Sequence, residues 1–254
     1  MDIDTLFAST AQLVKLSEGH IPIASASGII LSHECRNYLF TVGHAFGEGL
    51  SLQLDYDPSY GTKCLSLGGG ACLLSADQCA LNDNVPLRKI VWNLDDRTIV
   101  DGALFDLPTD CNLIRHIKVQ GGNEVKVPLK KFPVPHIECP VDGECSFCGM
   151  IKSQYPDGSE PYSDSYRFYF YQMAATYTHI DHVFDEGFYR YFRIRDIDGL
   201  KEIENFKGCS GAPLLDEQGN LVAMICGINL EKQIIKALDI GKVFPMLFPH
   251  TRPA

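Results

Sequence analysis

Apolar residues along this chain come in short runs broken by Gly, Pro, Asn and Asp, and no long segment repeats with the helical period of about 3.6 residues. Residues 21–31, from Ile21 to Leu31, and 38–42, from Tyr38 to Val42, are rich in aliphatic, β-branched and aromatic side chains. The polar stretch Ser32 to Asn37 separates them, so together they predict a hairpin. Further strands are predicted at 51–55, 62–66, 88–93, 98–107, 113–119 and 125–129. A Gly- and Pro-punctuated crossing from Gly121 to Pro140 then divides the chain. A second set of strands follows it: Gly143 to Lys152, Tyr166 to Ala175, Phe188 to Ile194, Ala212 to Leu215 and Leu221 to Leu230. Asp216-Glu217-Gln218-Gly219-Asn220 is the turn of the last hairpin. In the tail, Leu238, Ile240, Val243, Phe244 and Leu247 recur at near-helical spacing and predict a short helix from Lys236 to Phe248. The pattern therefore predicts an all-β chain in two halves, 1–122 and 123–254, with a short C-terminal helix.

Composition narrows the partners. The net charge is −10 and Lys and Arg do not cluster, so no surface is suited to tracking phosphates and nucleic acid is not expected. Nothing approaches the roughly 18 apolar residues of a membrane span, so a membrane is not expected either. The start, Met1 to Thr5, is acidic and is not followed by the unbroken apolar core of an export signal. The ten cysteines are accordingly read as reduced thiols rather than a disulfide framework, and the cytoplasm is the expected compartment.

Two segments carry candidate chemistry. In Gly208-Cys209-Ser210-Gly211 a serine sits between glycines, on a turn tight enough for its own N–H and that of Gly208 to converge on an oxyanion. Far upstream, Thr41-Val42-Gly43-His44 places a histidine at the end of an apolar strand, where it can act as general base. Alone, the tetrapeptide is a tight turn bearing a hydroxyl. The pair of segments makes it a candidate nucleophile.

With a third block, Val100-Asp101-Gly102-Ala103-Leu104-Phe105-Asp106-Leu107, the chain resembles chymotrypsin/trypsin-fold serine peptidases, and is similar to intracellular bacterial trypsin-like domains. The Ser27 to Leu31 and Tyr38 to His44 segments resemble that family's histidine block, and Gly208 to Pro213 its serine block, in the order His, Asp, Ser. The resemblance implies two Greek-key β-barrels with the active site between them. His44 and Asp101 would lie on the first, Ser210 on the second. It further implies Ser210 as nucleophile, His44 as base, Asp101 as its orienting partner, and the N–H groups of Gly208 and Ser210 as the oxyanion hole. Cys226-Gly227-Ile228 would form the strand edge that pairs with substrate. Glu204, with Glu202, would lie near the base of the primary pocket, where an acid favours Lys or Arg.

Three departures stand out. Cys226 occupies a position where the family usually carries a small hydroxyl residue, and Ile228 one that is often glycine. Cys209 replaces the aspartate that pairs with a new N-terminus in zymogen-activated members, so activity is expected not to depend on such a cleavage. Asp106, Asp95 and Asp96 compete with Asp101, which is preferred because apolar residues follow it. A Cys209 nucleophile is disfavoured, because cysteine peptidases of this fold carry the thiol where Ser210 stands. His136, Cys139, Cys145 and Cys148 have zinc-like spacing, yet Cys145 and Cys148 face opposite sides of a regular strand, so no metal or other cofactor is expected. The aromatic residues from Tyr162 to Tyr171 and Phe188 to Phe192 are explained by alternation along strands.

The expected function is a trypsin-like serine endopeptidase acting on a protein or peptide substrate through an acyl-enzyme. Two alternatives stay open: a catalytically silent module that binds peptides or serves as a scaffold, and an enzyme that requires an activating partner protein.

Overall fold

A computed structural model of the chain describes residues 3–16, 22–45, 50–53, 64–67, 73–74, 80–81, 87–90, 101–107, 114–118, 124–134, 143–150, 174–195, 206 and 208–247. Strands dominate. The first half is one antiparallel sheet whose strands run, from edge to edge, β7 (Ala80–Leu81), β6 (Leu73–Leu74), β5 (Cys64–Leu67), β4 (Leu50–Gln53), β1 (Ala11–Leu16), β2 (Pro22–His33), β3 (Arg36–Thr41), β9 (Ala103–Leu107) and β8 (Leu87–Ile90). The predicted hairpin is β2 with β3, in register Ile29 to Phe40 and Leu31 to Tyr38. Strands β10 (Ile114–Lys118) and β11 (Glu124–Pro128) form a separate two-stranded ribbon. β12 (Lys131–Pro133) runs parallel to β2, so the first sheet recruits residues from beyond the expected division at 122.

The second half is a closed barrel of six strands in the order β13 (Glu144–Met150), β14 (Ala174–Glu186), β15 (Tyr189–Ile194), β18 (Ile234–Leu238), β17 (Leu221–Asn229) and β16 (Pro213–Leu215). Its interior is filled by Phe147, Phe192, Leu214, Ile225 and Ile235, with Cys145 and Cys209 in the same cluster. A second cluster joins the halves, bringing Phe40, Val42 and Leu104 of the first together with Met224, Cys226 and Leu238 of the second. Helix α1 (Ile3–Ser9) buries Leu6 in this joint. Thr10 Oγ1 donates to the Cys148 carbonyl at 2.7 Å, anchoring the helix end on β13.

Two expectations need correction. The tail helix does not begin near Lys236: residues 234–238 are β18, and helix α2 spans Ile240–Leu247. The β-branched pair Ile234 and Ile235 pairs with β15 on one side and β17 on the other, and the barrel cannot close without it. Asp239 marks the change: its carboxylate accepts the Lys242 N–H at 3.3 Å, as an N-cap does, and its carbonyl accepts the Val243 N–H. The strand predicted at Tyr166 to Ala175 is described only from Ala174, where β14 begins and continues to Glu186 through a polar, aromatic-rich stretch.

Candidate active site

β3 delivers His44. Its last four residues, Tyr38 to Thr41, are buried on both faces, and Val42 is fully buried behind them, so the chain leaves the core only at the short turn Gly43–Ala45. There the imidazole is 44% exposed, while the Asp101 carboxylate beneath it is 17% exposed. Asp101 Oδ1 accepts the His44 backbone N–H at 2.9 Å, and Oδ2 lies 2.6 Å from Nδ1. An ionised carboxylate only accepts, so Nδ1 carries the proton, and the neutral ring presents Nε2 as its basic nitrogen. Of the competing acids, Asp106 lies within β9 opposite Tyr38, and Asp95 and Asp96 fall outside the described residues.

Ser210 lies at the centre of a heavily tethered turn. The turn closes with Cys209 N–H on the Phe206 carbonyl at 3.0 Å and Ala212 N–H on the Cys209 carbonyl at 2.9 Å. Gly208 and Gly211 take φ values of +103° and +90°, which L side chains rarely adopt. Gly211 N–H donates to the Ile225 carbonyl at 2.7 Å, tying the turn to β17. The other tether is Ser27 of β2: its N–H donates to the Ser210 carbonyl and its Oγ to the Gly208 carbonyl, each at 2.8 Å. Thr41 Oγ1 in turn donates to the Ser27 carbonyl at 2.6 Å. The strand that ends at His44 therefore holds, through Thr41 and Ser27, the turn that carries Ser210. Sequence reasoning assigned no role to either hydroxyl. The available signal was two small polar residues, Ser27 between Ala26 and Gly28 and Thr41 between Phe40 and Val42, each fully buried once folded. No hydrogen bond links Ser210 Oγ with His44 Nε2 in this structure; such contacts are often long in sites without substrate.

The remaining candidates line the approach to Ser210. β17 pairs with β16 only over Leu221 to Met224, whereas on its other side β18 follows it to Asn229. Among the described residues, Cys226 to Asn229 therefore have no strand on the β16 side. Gly227 faces open space, since a Cβ built on it meets nothing within 4 Å. Ile228 is partly buried against the barrel cluster. Burial, and secondarily the Asp101 charge, hold the Cys226 thiol well above its ordinary pKa, so it remains neutral. Cys209 is likewise pushed up, mainly by burial, and is a neutral core thiol beneath the turn. Cys145 and Cys148 bury in different core clusters; His136, Cys139 and Glu204 lie outside the described residues.

No family model and no curated protein matches the sequence. Among solved structures the chain is similar to a serine endoprotease from Yersinia pestis, at 13% identity and a TM-score of 0.53, over 98% of this chain and 67% of that one. It is also similar to neuropsin, a serine protease expressed in the limbic system of mouse brain, at 14% identity and a TM-score of 0.48, over 97% of this chain and 95% of that one. At such identities the Yersinia likeness speaks for the fold alone, which is the trypsin-like, two-barrel all-β fold. No helix among the described residues is long and apolar enough to cross a membrane.

Proposed function

We propose that this chain is a serine endopeptidase of the trypsin-like kind, cutting peptide bonds through an acyl-enzyme on Ser210. The observation that carries the reading is the doubly hydrogen-bonded His44–Asp101 pair, whose geometry leaves Nε2 as the base. His44 takes the proton of Ser210 as the hydroxyl attacks the scissile carbonyl, and Asp101 stabilises the imidazolium that forms. The N–H groups of Gly208 and Ser210 receive the oxyanion; the positive φ at Gly208 and its carbonyl's bond to Ser27 favour a turn already set for this role. A substrate strand adds to the open edge at Cys226, Gly227 and Ile228. Water then attacks the ester with His44 again as base. Cys35, Cys145, Cys148, Cys209 and Cys226 are free thiols, which favours a reducing compartment such as the cytoplasm.

The lack of a Ser210–His44 hydrogen bond, with Cys226 in place of a hydroxyl, favours a second reading: a catalytically silent trypsin-fold module that binds peptides or acts as a scaffold. A fluorophosphonate probe separates the two. Labelling of the wild type that disappears in Ser210→Ala establishes the peptidase, and labelling only after cell extract is added establishes the partner-dependent form. If no condition yields labelling, the chain is the silent module. Peptide-library profiling, with Ser210→Ala as control, then reads the cleavage preference.

A further inference from the structure

The carboxylate of Asp101 is held by His44, from the first half, whereas its main chain is held by the second. The phenol oxygen of Tyr189, the first residue of β15, accepts the Asp101 N–H at 3.1 Å. On the carbonyl side, Cys226 Sγ approaches Asp101 O at 4.0 Å. The next residue, Gly102, is wedged between the halves: a Cβ there would stand 3.0 Å from Phe40 Cζ and 3.5 Å from Leu238 Cδ2. Tyr189 is fixed in its turn. It pairs with Leu238, packs on the cluster joining the halves, and carries the Lys236 ammonium 3.8 Å from its ring centroid. The titratable groups gathered around Asp101 are thus His44 from the first half and Tyr189, Cys226 and Lys236 from β15, β17 and β18.

A thiol is a weak hydrogen-bond donor, so Cys226 offers Asp101 little. The phenol is the stronger partner. Burial pushes its pKa up to about 12, which leaves it a neutral hydroxyl wherever a histidine titrates. We propose that Tyr189 is a positioning residue for the candidate triad, fixing the Asp101 peptide through its N–H from the second barrel. With its N–H anchored, Asp101 keeps Oδ1 on the His44 amide and Oδ2 on Nδ1. The dyad then depends on how the two halves meet. This assignment rests on the peptidase reading and deepens it.

The test uses the full chain with Tyr189→Phe and Lys236→Met, each checked by thermal unfolding. Fluorophosphonate labelling rates are measured as a function of pH. The low-field Nδ1 proton of His44 is followed by NMR in a Ser210→Ala background, where no activity is needed. Tyr189→Phe is expected to lower the labelling rate about 5-fold, the worth of one ordinary hydrogen bond, and to shift both the midpoint of the pH profile and the Nδ1 resonance. Lys236→Met keeps the phenol but frees the ring, and costs about 2- to 3-fold. If the wild type labels and Tyr189→Phe matches it in rate, profile and resonance, the assignment is overturned. If Tyr189→Phe does not fold, a Lys236→Met protein identical to wild type in both readouts overturns it. If the wild type never labels, the peptidase reading falls, and the NMR comparison still decides the role of Tyr189.

Discussion

Gly211→Ala is the sharpest probe of how the nucleophile turn is built. A Cβ at this position would fall well inside contact with the Ser27 carbonyl oxygen, 2.6 Å from Thr41 Oγ1 and 2.7 Å from the Ser27 carbonyl carbon. None of these is the free end of a flexible chain, so backbone must retreat on the order of 1 Å to restore contact distances. The φ of +90° adds strain of about 1–2 kcal/mol for an L residue, and overpacking a closed site costs about 1–3 kcal/mol more. A stability loss near 3 kcal/mol is expected in urea titration. The same retreat drags Ser27, whose N–H and Oγ hold the Ser210 and Gly208 carbonyls, so both nucleophile and oxyanion donors move. A displacement of about 1 Å at such a site is worth about 100-fold in rate, to be read as the fluorophosphonate labelling constant. The control is Gly219→Ala in the β16–β17 turn. There φ is +80° but the nearest atoms, Lys130 Nζ at 3.4 Å and Thr5 Cγ2 at 3.5 Å, are in ordinary contact. It pays strain alone, about 1 kcal/mol, with unchanged labelling. If Gly211→Ala labels like the wild type, or is no less stable than Gly219→Ala, the account of the turn is wrong.

Asp101→Asn should lower fluorophosphonate labelling by about 10⁴-fold, because an amide can donate to Nδ1 and leave the proton on Nε2, whereas Asp106→Asn should stay within about 2-fold. Ser27→Ala removes the bond to the Gly208 carbonyl and should cost about 1 kcal/mol, seen as roughly 5-fold slower labelling with the fold retained by circular dichroism. Asp239→Asn removes the charge that faces the buried Arg190 at 2.7 Å, leaving only Asp185 at 3.9 Å to oppose it, and should cost about 3 kcal/mol in urea; replacing Arg190 and Asp239 by apolar residues should cost less. With their thiol pKa values raised by burial, Cys209 and Cys226 should resist alkylation by iodoacetamide in the native protein through the neutral range, while exposed Cys35 reacts; mass mapping of the labelled peptides checks this.

Much of the fold is local and was therefore legible. Ile29 to Leu31 against Tyr38 to Phe40, and Asp216 to Asn220 as the turn between β16 and β17, declare themselves through β-rich runs punctuated by turn residues. Residues 234–238 did not. Ile234, Ile235 and Leu238 suit a strand edge or a helix face equally, and only pairing with β15 and β17 decides between them. Asp239 was the overlooked local sign, a capping residue at the helix start. β14 was missed for most of its length because His179, Asp181, His182 and Asp185 interrupt its apolar positions, two of which, Val183 and Phe184, are exposed.

By itself the sequence determined which residues have chemistry to offer. A glycine-flanked serine, a histidine at a strand end and an aspartate opening an apolar run are each short-range facts, set by the φ angles and side-chain types a few adjacent positions permit. Their relation is long-range, and no local preference encodes it. The tertiary structure alone brought Asp101 onto both the amide and Nδ1 of His44, made Ser27 and Thr41 the tether of the Ser210 turn, and carried Tyr189 across from the second barrel to the Asp101 peptide. Those contacts exist because two packed halves share one apolar joint, and burial there obliges each polar group to find a partner wherever the packing has put one.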